Sequence, residues 1–375
     1  MAMTDESKAF KNWINQSVVQ SYSQELKKVD SKFQDQNFLL LVKNLENLEL
    51  KARVILIASA LHECLGSNYP QALQKLVHIS QTDRLKQFEL WPVSEFIRTY
   101  GKDHFDLSFQ AMKELTSRFT SEFAVRPYIL LDPDRALKQM EILADHSNVH
   151  VRRWASEGTR PYLPWGEKLE ICIQNPKPNL KILEKLRFDP ELYVRKSVAN
   201  HLNDISKNHP TLVIQTLKNW KKEVPADFTK EFKFIVSRAL RTLIKNRDPK
   251  ALQMLGVSAK KDTLFFSKFE IRQPKVKFGS ALEFQFEISH RTAKQTQLII
   301  DYAIHFQKAN HKLSAKVFKL KNITLKKNET LVVQKKHSIK PITTRRYYPG
   351  LHRLEVFANG QSVGIKDFYL TGVMK

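Results

Sequence analysis

Val151-Arg152-Arg153-Trp154-Ala155-Ser156-Glu157 returns along the chain as Val194-Arg195-Lys196-Ser197-Val198-Ala199-Asn200, and more weakly as Val236-Ser237-Arg238-Ala239-Leu240. The spacings are 43 residues (151 to 194) and 42 residues (194 to 236). An earlier stretch, Ala111-Met112-Lys113-Glu114-Leu115-Thr116-Ser117-Arg118-Phe119, keeps the same rhythm. A helical unit recurring at about 40 residues predicts stacked helix pairs of the HEAT type, because one pair cannot bury its apolar stripe alone. In the second copy, Val194, Val198 and Leu202 stand at i, i+4 and i+8 and predict a buried stripe. Lys196, Asn200 and Asp204 share a different face. In the first copy Arg153, Glu157 and Arg160 form the matching polar face. Pro161 and Pro164 end that helix, since proline lacks an amide donor and disfavours helix in the residue before it.

From about Phe265 the texture changes to short alternating runs, such as Leu282-Glu283-Phe284-Gln285-Phe286-Glu287-Ile288 and Gln297-Leu298-Ile299-Ile300-Asp301-Tyr302-Ala303-Ile304. Lys316-Val317-Phe318-Lys319-Leu320 and Leu354-Glu355-Val356-Phe357 are further runs. Turn signals stand at Asn310-His311, Pro349-Gly350 and Asn359-Gly360. Alternation at period two with turns between reads as hairpins, and about seven strands in roughly 110 residues predict an immunoglobulin-like sandwich. The expected organisation is multidomain α plus β: a HEAT-like α-solenoid over 1–257, a short polar linker near Gly256-Val257-Ser258-Ala259-Lys260-Lys261, and a small Ig-like β-sandwich over 262–375.

A chain of 375 residues with 42% hydrophobic residues has enough apolar material for two cores. Its 62 Lys+Arg against 38 Asp+Glu leave a net charge of +24, which points to a polyanionic partner. Residues 259–375 carry +15 of that excess and the first 258 carry +9. The sandwich is therefore either a second grip on a polyanion or a lysine-protected soluble domain. No apolar run approaches the ~20 residues that span a bilayer, so no membrane partner is expected. Met1-Ala2-Met3-Thr4-Asp5-Glu6 lacks a basic start and an apolar continuation, so no secretory signal is expected. Two cysteines, Cys64 and Cys172, suit a reducing compartment, and a cytoplasmic monomer is expected. Ten glycines with no phosphate-binding loop, and no HExxH, GxSxG or CxxC, give no support to nucleotide, metal or serine chemistry. His146, His150 and His201 show no ligand spacing, and no cofactor is expected.

The chemistry concentrates in Trp154-Ala155-Ser156-Glu157-Gly158-Thr159-Arg160-Pro161-Tyr162-Leu163-Pro164-Trp165. Two tryptophans, a glutamate and an arginine lie within a dozen residues, and an acid on a surface that binds phosphates weakens that binding. Its presence there points to function. Arg152, Arg153, Arg160, Arg195, Lys196, Arg238 and Arg241 recur with the repeat. They either line a concave face that meets phosphates or serve packing and solvation at helix starts. Glu157 stands four residues from Arg153 and three from Arg160, a spacing that also suits ordinary ion pairs.

Thr116-Ser117-Arg118-Phe119-Thr120-Ser121-Glu122-Phe123-Ala124-Val125-Arg126-Pro127-Tyr128, the 151–161 motif and Leu163-Pro164-Trp165 resemble the AlkC branch of the HEAT-repeat DNA alkylation-repair glycosylases. Thr344-Arg345-Arg346-Tyr347-Tyr348-Pro349-Gly350 resembles the Ig-like domain that some members carry. The resemblance implies a bacterial enzyme, nucleoid-associated through DNA binding. It would hydrolyse the N-glycosidic bond of cationic bases such as 3-methyladenine and 3-methylcytosine in duplex DNA, without flipping the base fully into a pocket. Carried onto this sequence, Glu122 and Glu157 look like the catalytic acidic pair, with Asp204 a third candidate. Trp165 looks like the aromatic that contacts the lesion-bearing nucleotide, with Trp154 either beside it or in the core. Arg345, Arg346 and Lys335-Lys336 are candidates for the grip of the sandwich. The AlkD branch has a tryptophan four residues before its acid, where this chain has Arg118 before Glu122. Other readings are a non-catalytic DNA-binding or lesion-sensing protein and a protein-interaction scaffold.

Overall fold

A computed structural model describes residues 10–257, 264–290, 296–326, 328–342 and 345–373. The expected linker residues 258–261 and Thr344 lie outside the described residues. Sixteen α-helices precede eight strands among the described residues. The chain forms two compact units, Met1–Asn208 and His209–Lys375.

In the first unit the repeat is physical. Helix Val149–Glu157 opens on Asn148, whose side chain accepts from the His150 amide at 2.8 Å, and helix Leu192–Ser206 packs against it. Val194, Val198 and Leu202 are fully buried. The two copies meet as complementary shapes: Trp154, fully buried against Phe109 at 5.9 Å between ring centroids, occupies the place that Ser197 holds one repeat later. Gly158 follows Glu157 because a Cβ there would stand 2.8 Å from Val125 Cγ1. The helix ends at Glu157, before either proline, with Gly158 as its cap donating its amide to the Trp154 carbonyl at 2.8 Å.

In the second unit, β1 (Leu264–Ile271), β2 (Lys275–Lys277), β3 (Ala281–His290), β4 (Thr296–Gln307), β5 (Leu313–Leu325), β6 (Thr330–Ser338), β7 (Gly350–Ala358) and β8 (Gln361–Thr371) form two sheets. Their orders are β1-β3-β6 and β2-β8-β7-β4-β5. Alternation supplies the shared core: Leu282, Phe284, Phe286 and Ile288 from β3 are buried in one cluster with Leu298, Ile300, Tyr302, Ile304 and Phe306 from β4. Eight strands stand among the described residues where about seven were expected; the three-residue β2 has one buried side chain, Val276, too short a run to read as alternation. On the opposite face of β4, Ile299 packs with Leu252 and Val257, and the Arg247 guanidinium lies 3.8 Å over the Phe357 ring. These contacts place the last helices in the same compact unit as the sandwich, while the change from helix to strand comes between Met254 and Leu264.

Leu202→Ala should cost about 2–5 kcal/mol and Trp154→Ala about 3–5 kcal/mol, the range for emptying packed core sites. Chemical denaturation of the two variants, followed by circular dichroism, checks both values.

Candidate active site

A cleft of about 530 Å³ opens in the first unit. Phe88, Trp91, Phe119, Phe123, Trp165 and Tyr193 supply aromatic walls, and Thr120, Glu122, Arg153 and Glu157 supply polar groups. Four of these rings touch in sequence: Trp91 stacks on Phe123 with centroids 5.6 Å apart, Phe88 meets Phe119 at 5.7 Å, and Phe88 meets Trp91 at 6.1 Å.

Glu157 is the last residue of helix Val149–Glu157, where the unpaired carbonyls present partial negative charge and disfavour a carboxylate. Two guanidiniums offset this. Arg153, one turn back, approaches Glu157 Oε1 at 3.5 Å, and Arg160 Nη1 donates to the same oxygen at 2.7 Å. Ser197 Oγ donates to Oε2 at 2.6 Å. Burial alone would lift the Glu157 pKa, but Arg153, Arg160 and Ser197 outweigh it and hold the carboxyl below its ordinary value of 4.5. Glu122 lies in the turn between helices Phe105–Thr116 and Arg126–Leu131. Its Oε2 accepts from Thr120 Oγ1 at 2.9 Å and from Arg153 Nη1. Arg153 therefore joins two carboxylates from different elements, and its guanidinium also lies 5.2 Å over the Tyr193 ring.

A second layer fixes the first. Ser197 Oγ stands 2.9 Å from Ser156 Oγ. The Glu157 carboxylate can only accept, so the single Ser197 proton goes to Glu157 and Ser156 donates to Ser197. Burial pushes the His201 pKa down to about 4, against the opposing pull of Asp204, so the ring is neutral near pH 7. Its Nδ1–H donates to the Ser156 carbonyl at 2.9 Å, leaving Nε2 to accept from Asn179 Nδ2 at 3.2 Å. Asp204 accepts from Arg160 Nε at 2.8 Å and from Lys207 at 2.9 Å.

Trp165 is 63% exposed and sits at φ 66°, in the left-handed region, at a cost of roughly 1–2 kcal/mol for a residue with a Cβ. Arg126 holds the loop in place. It is fully buried, donates to the Gly158 carbonyl at 3.2 Å, the Arg160 carbonyl at 3.0 Å and the Glu167 carbonyl at 2.8 Å, and so ties both ends of the 158–167 segment. Burial pulls its pKa down to about 10, which leaves it charged near pH 7. Lys51 Nζ donates to the Trp165 carbonyl.

The structure brings together Glu122, Glu157, Arg153 and Trp165 in one cleft. Other candidates lie elsewhere. Trp154 is fully buried, so its face is not available to a nucleotide. Asp204 is 1% exposed, does not line the cleft and reaches it only through Arg160, itself 6% exposed and enclosed between two acids. Asp204 thus joins Glu157 through a shared guanidinium. Arg152 and Arg195, one repeat apart, bind their own preceding turns in place of facing solvent: Arg152 donates to the His146 and Ser147 carbonyls and pairs with Asp189, and Arg195 donates to the Asp189 and Pro190 carbonyls. Lys196 is exposed; Arg238 is half-buried in the second unit. Arg345 and Arg346 line a shallow basic cavity of the sandwich with Lys308, Lys312 and Lys316. Lys335 and Lys336 lie on strand β6, and Lys336 pairs with Glu283 at 2.9 Å. Among the described residues, no group of three or more His, Cys, Asp or Glu could hold a metal ion.

Sequence reasoning missed Tyr193, Thr120, Ser197 and Arg126. Tyr193 was within reach, since it stands one repeat after His150, and the two rings touch edge to face at 5.8 Å.

Residues 116–231 match the family described as DNA alkylation repair enzyme, and residues 266–372 match the C-terminal Ig-like domain of the uncharacterised protein YhaZ. YhaZ of Bacillus subtilis (strain 168), itself uncharacterised, is 38% identical over 321 residues, covering 86% of this chain and 87% of that protein. The solved structure of Pseudomonas fluorescens alkylpurine DNA glycosylase AlkC, bound to DNA containing an abasic site analog, is 32% identical and covers 97% of this chain and 100% of that one, with a TM-score of 0.87. That likeness spans both the helical region and the Ig-like domain of this chain. On this likeness the chain belongs to the DNA alkylation repair enzymes, in the AlkC/YhaZ-type group that joins an α-solenoid to a C-terminal Ig-like domain.

Proposed function

We propose that the chain is a DNA glycosylase that hydrolyses the N-glycosidic bond of cationic alkylated bases, 3-methyladenine and 3-methylcytosine, in duplex DNA without full base flipping. The observation that carries this is the convergence of Glu122 and Glu157 on one guanidinium inside an aromatic cleft. Kinship with a DNA alkylation repair enzyme family and with an alkylpurine DNA glycosylase supports it.

The residue chemistry suits the reaction. Alkylation at a ring nitrogen gives the base a positive charge and makes it a good leaving group. As the C1′–N bond stretches, positive charge grows on the sugar, as in other oxocarbenium-like transition states. A fixed carboxylate stabilises that charge and can orient or deprotonate the attacking water. Glu157 is held ionised but nearly enclosed, with both oxygens engaged. Among the described residues the bonds to Glu122 fall on Oε2, leaving Oε1 for water. Glu122 is therefore assigned the water and Glu157 the field at the sugar. Trp165 and Tyr193 offer π faces to the cationic nucleotide. Arg345 and Arg346, with their lysine neighbours, supply phosphate contacts from the sandwich.

Base release from a duplex oligonucleotide carrying 3-methyladenine or 3-methylcytosine tests the reading. Wild type should release both bases, and Glu122→Gln and Glu157→Gln should slow single-turnover release roughly 100-fold or more while keeping DNA affinity. Tight binding with no release from any alkylated duplex would make the protein a lesion sensor. Replacing Arg345 and Arg346 together by alanine should flatten the slope of log affinity against log salt by roughly one unit per lost phosphate contact. An unchanged slope would remove them from the DNA interface.

A further inference from the structure

Trp91, Phe123 and Trp165 line the cleft and also a second, smaller pocket of about 210 Å³ in the first unit. Glu122, Glu157 and Arg153 line the cleft but not this pocket. Val54 and Ile55 of helix Leu50–Leu65 add an apolar wall, and Glu95 of helix Trp91–Tyr100 adds a carboxylate. We infer that this pocket binds the free heterocyclic base after its release, and that it selects bases bearing an exocyclic amino group; the inference rests on the proposed glycosylase reading.

Three observations lead there. The first is size. At about 210 Å³ against about 530 Å³ for the cleft, the pocket suits one planar heterocycle without its sugar and phosphate. The second is the wall chemistry: two tryptophans and a phenylalanine line the pocket, and aromatic rings favour a flat π system. The third is the acceptor. Glu95 is 8% exposed, and its Oε1 takes the bonds from Arg98 at 3.0 Å and Thr99 at 3.3 Å. Among the described residues no bond reaches Oε2, which leaves an acceptor at the pocket for an incoming N–H donor. Arg98 is held on its other side by Glu167 at 3.2 Å, which fixes it, and with it Glu95 Oε1, in this pairing.

The placement also fits the order of events. A base still bonded to its sugar beside Glu157 is tethered to the duplex. Once the bond breaks, it is free to pass Trp165, whose exposed ring borders both spaces. An amino group, as in 3-methyladenine or adenine, donates to Glu95 Oε2. A carbonyl at the same position, as in hypoxanthine, meets it with like partial charge and lacks the donor that the site is built to pair.

Isothermal titration calorimetry of the full chain with free 3-methyladenine, adenine and hypoxanthine, without DNA, tests this. The expected result is saturable binding of one molecule of either amino base, at least fivefold weaker binding of hypoxanthine, and at least fivefold weaker adenine binding by Glu95→Gln. Glu95 is nearly buried, so Ile55→Trp, at a position 51% exposed, provides a second variant that fills the pocket from outside its ion pairs and should abolish binding. No saturable binding by the folded wild type, or adenine binding unaffected by Ile55→Trp, would overturn the assignment. Because no DNA is present, failure here with intact base release removes the pocket and leaves the glycosylase reading. Binding without base release keeps the pocket and removes that reading.

Discussion

A carboxylate at the C-terminal end of a helix, nearly out of water, can stay ionised only if cations are fixed within a few ångströms of it. Desolvation costs several kcal/mol per ion, and the helix carbonyls add to it. Glu157 meets this constraint through Arg153 and Arg160, and each guanidinium then needs a second acid, Glu122 for one and Asp204 for the other. With Lys207 on Asp204, three acids face three bases. The lattice draws on the turn before helix Arg126–Leu131, the end of helix Val149–Glu157 and the far end of helix Leu192–Ser206. The stacking of successive repeats is thus what assembles it, and removing any one member takes a counter-charge from its partners.

This balance gives the cleft a character different from the bulk of the chain. The net charge of +24 sets a long-range field that draws a polyanion in. Inside, the charges compensate one another locally and act by direction rather than by excess. Trp165 shows the same division: buried Arg126 and exposed Lys51 bind the backbone around it, and its ring stands exposed at the mouth.

The 43-residue echo of Val151–Glu157 in Val194–Asn200 sufficed to predict the stacked helices, because burial of Val194, Val198 and Leu202 depends only on helical period. Alternation at Leu282–Ile288 and Leu298–Ile304 did the same for the sandwich. The arginines were harder. Arg152 and Arg153 are neighbours in sequence, yet one grips its own preceding turn and the other joins two acids from distant segments. That choice depends on which elements the third dimension brings alongside. Ser197 was read only as a place in the repeat, and its hydroxyl gains meaning only once Glu157 lies 2.6 Å away. Likewise Asp204 looked like a third acid of the pair, until Arg160 came between it and the cleft.

The central claim is that an ionised Glu157, held by this lattice, drives base release. The pH dependence of single-turnover release from a 3-methyladenine duplex by wild type and Ser197→Ala tests it most directly. Ser197 helps to lower the Glu157 pKa, so its loss should raise that pKa and carry the acid limb of the profile to higher pH, while the rate well above the limb changes far less. An acid limb at the same pH in both proteins would contradict the account.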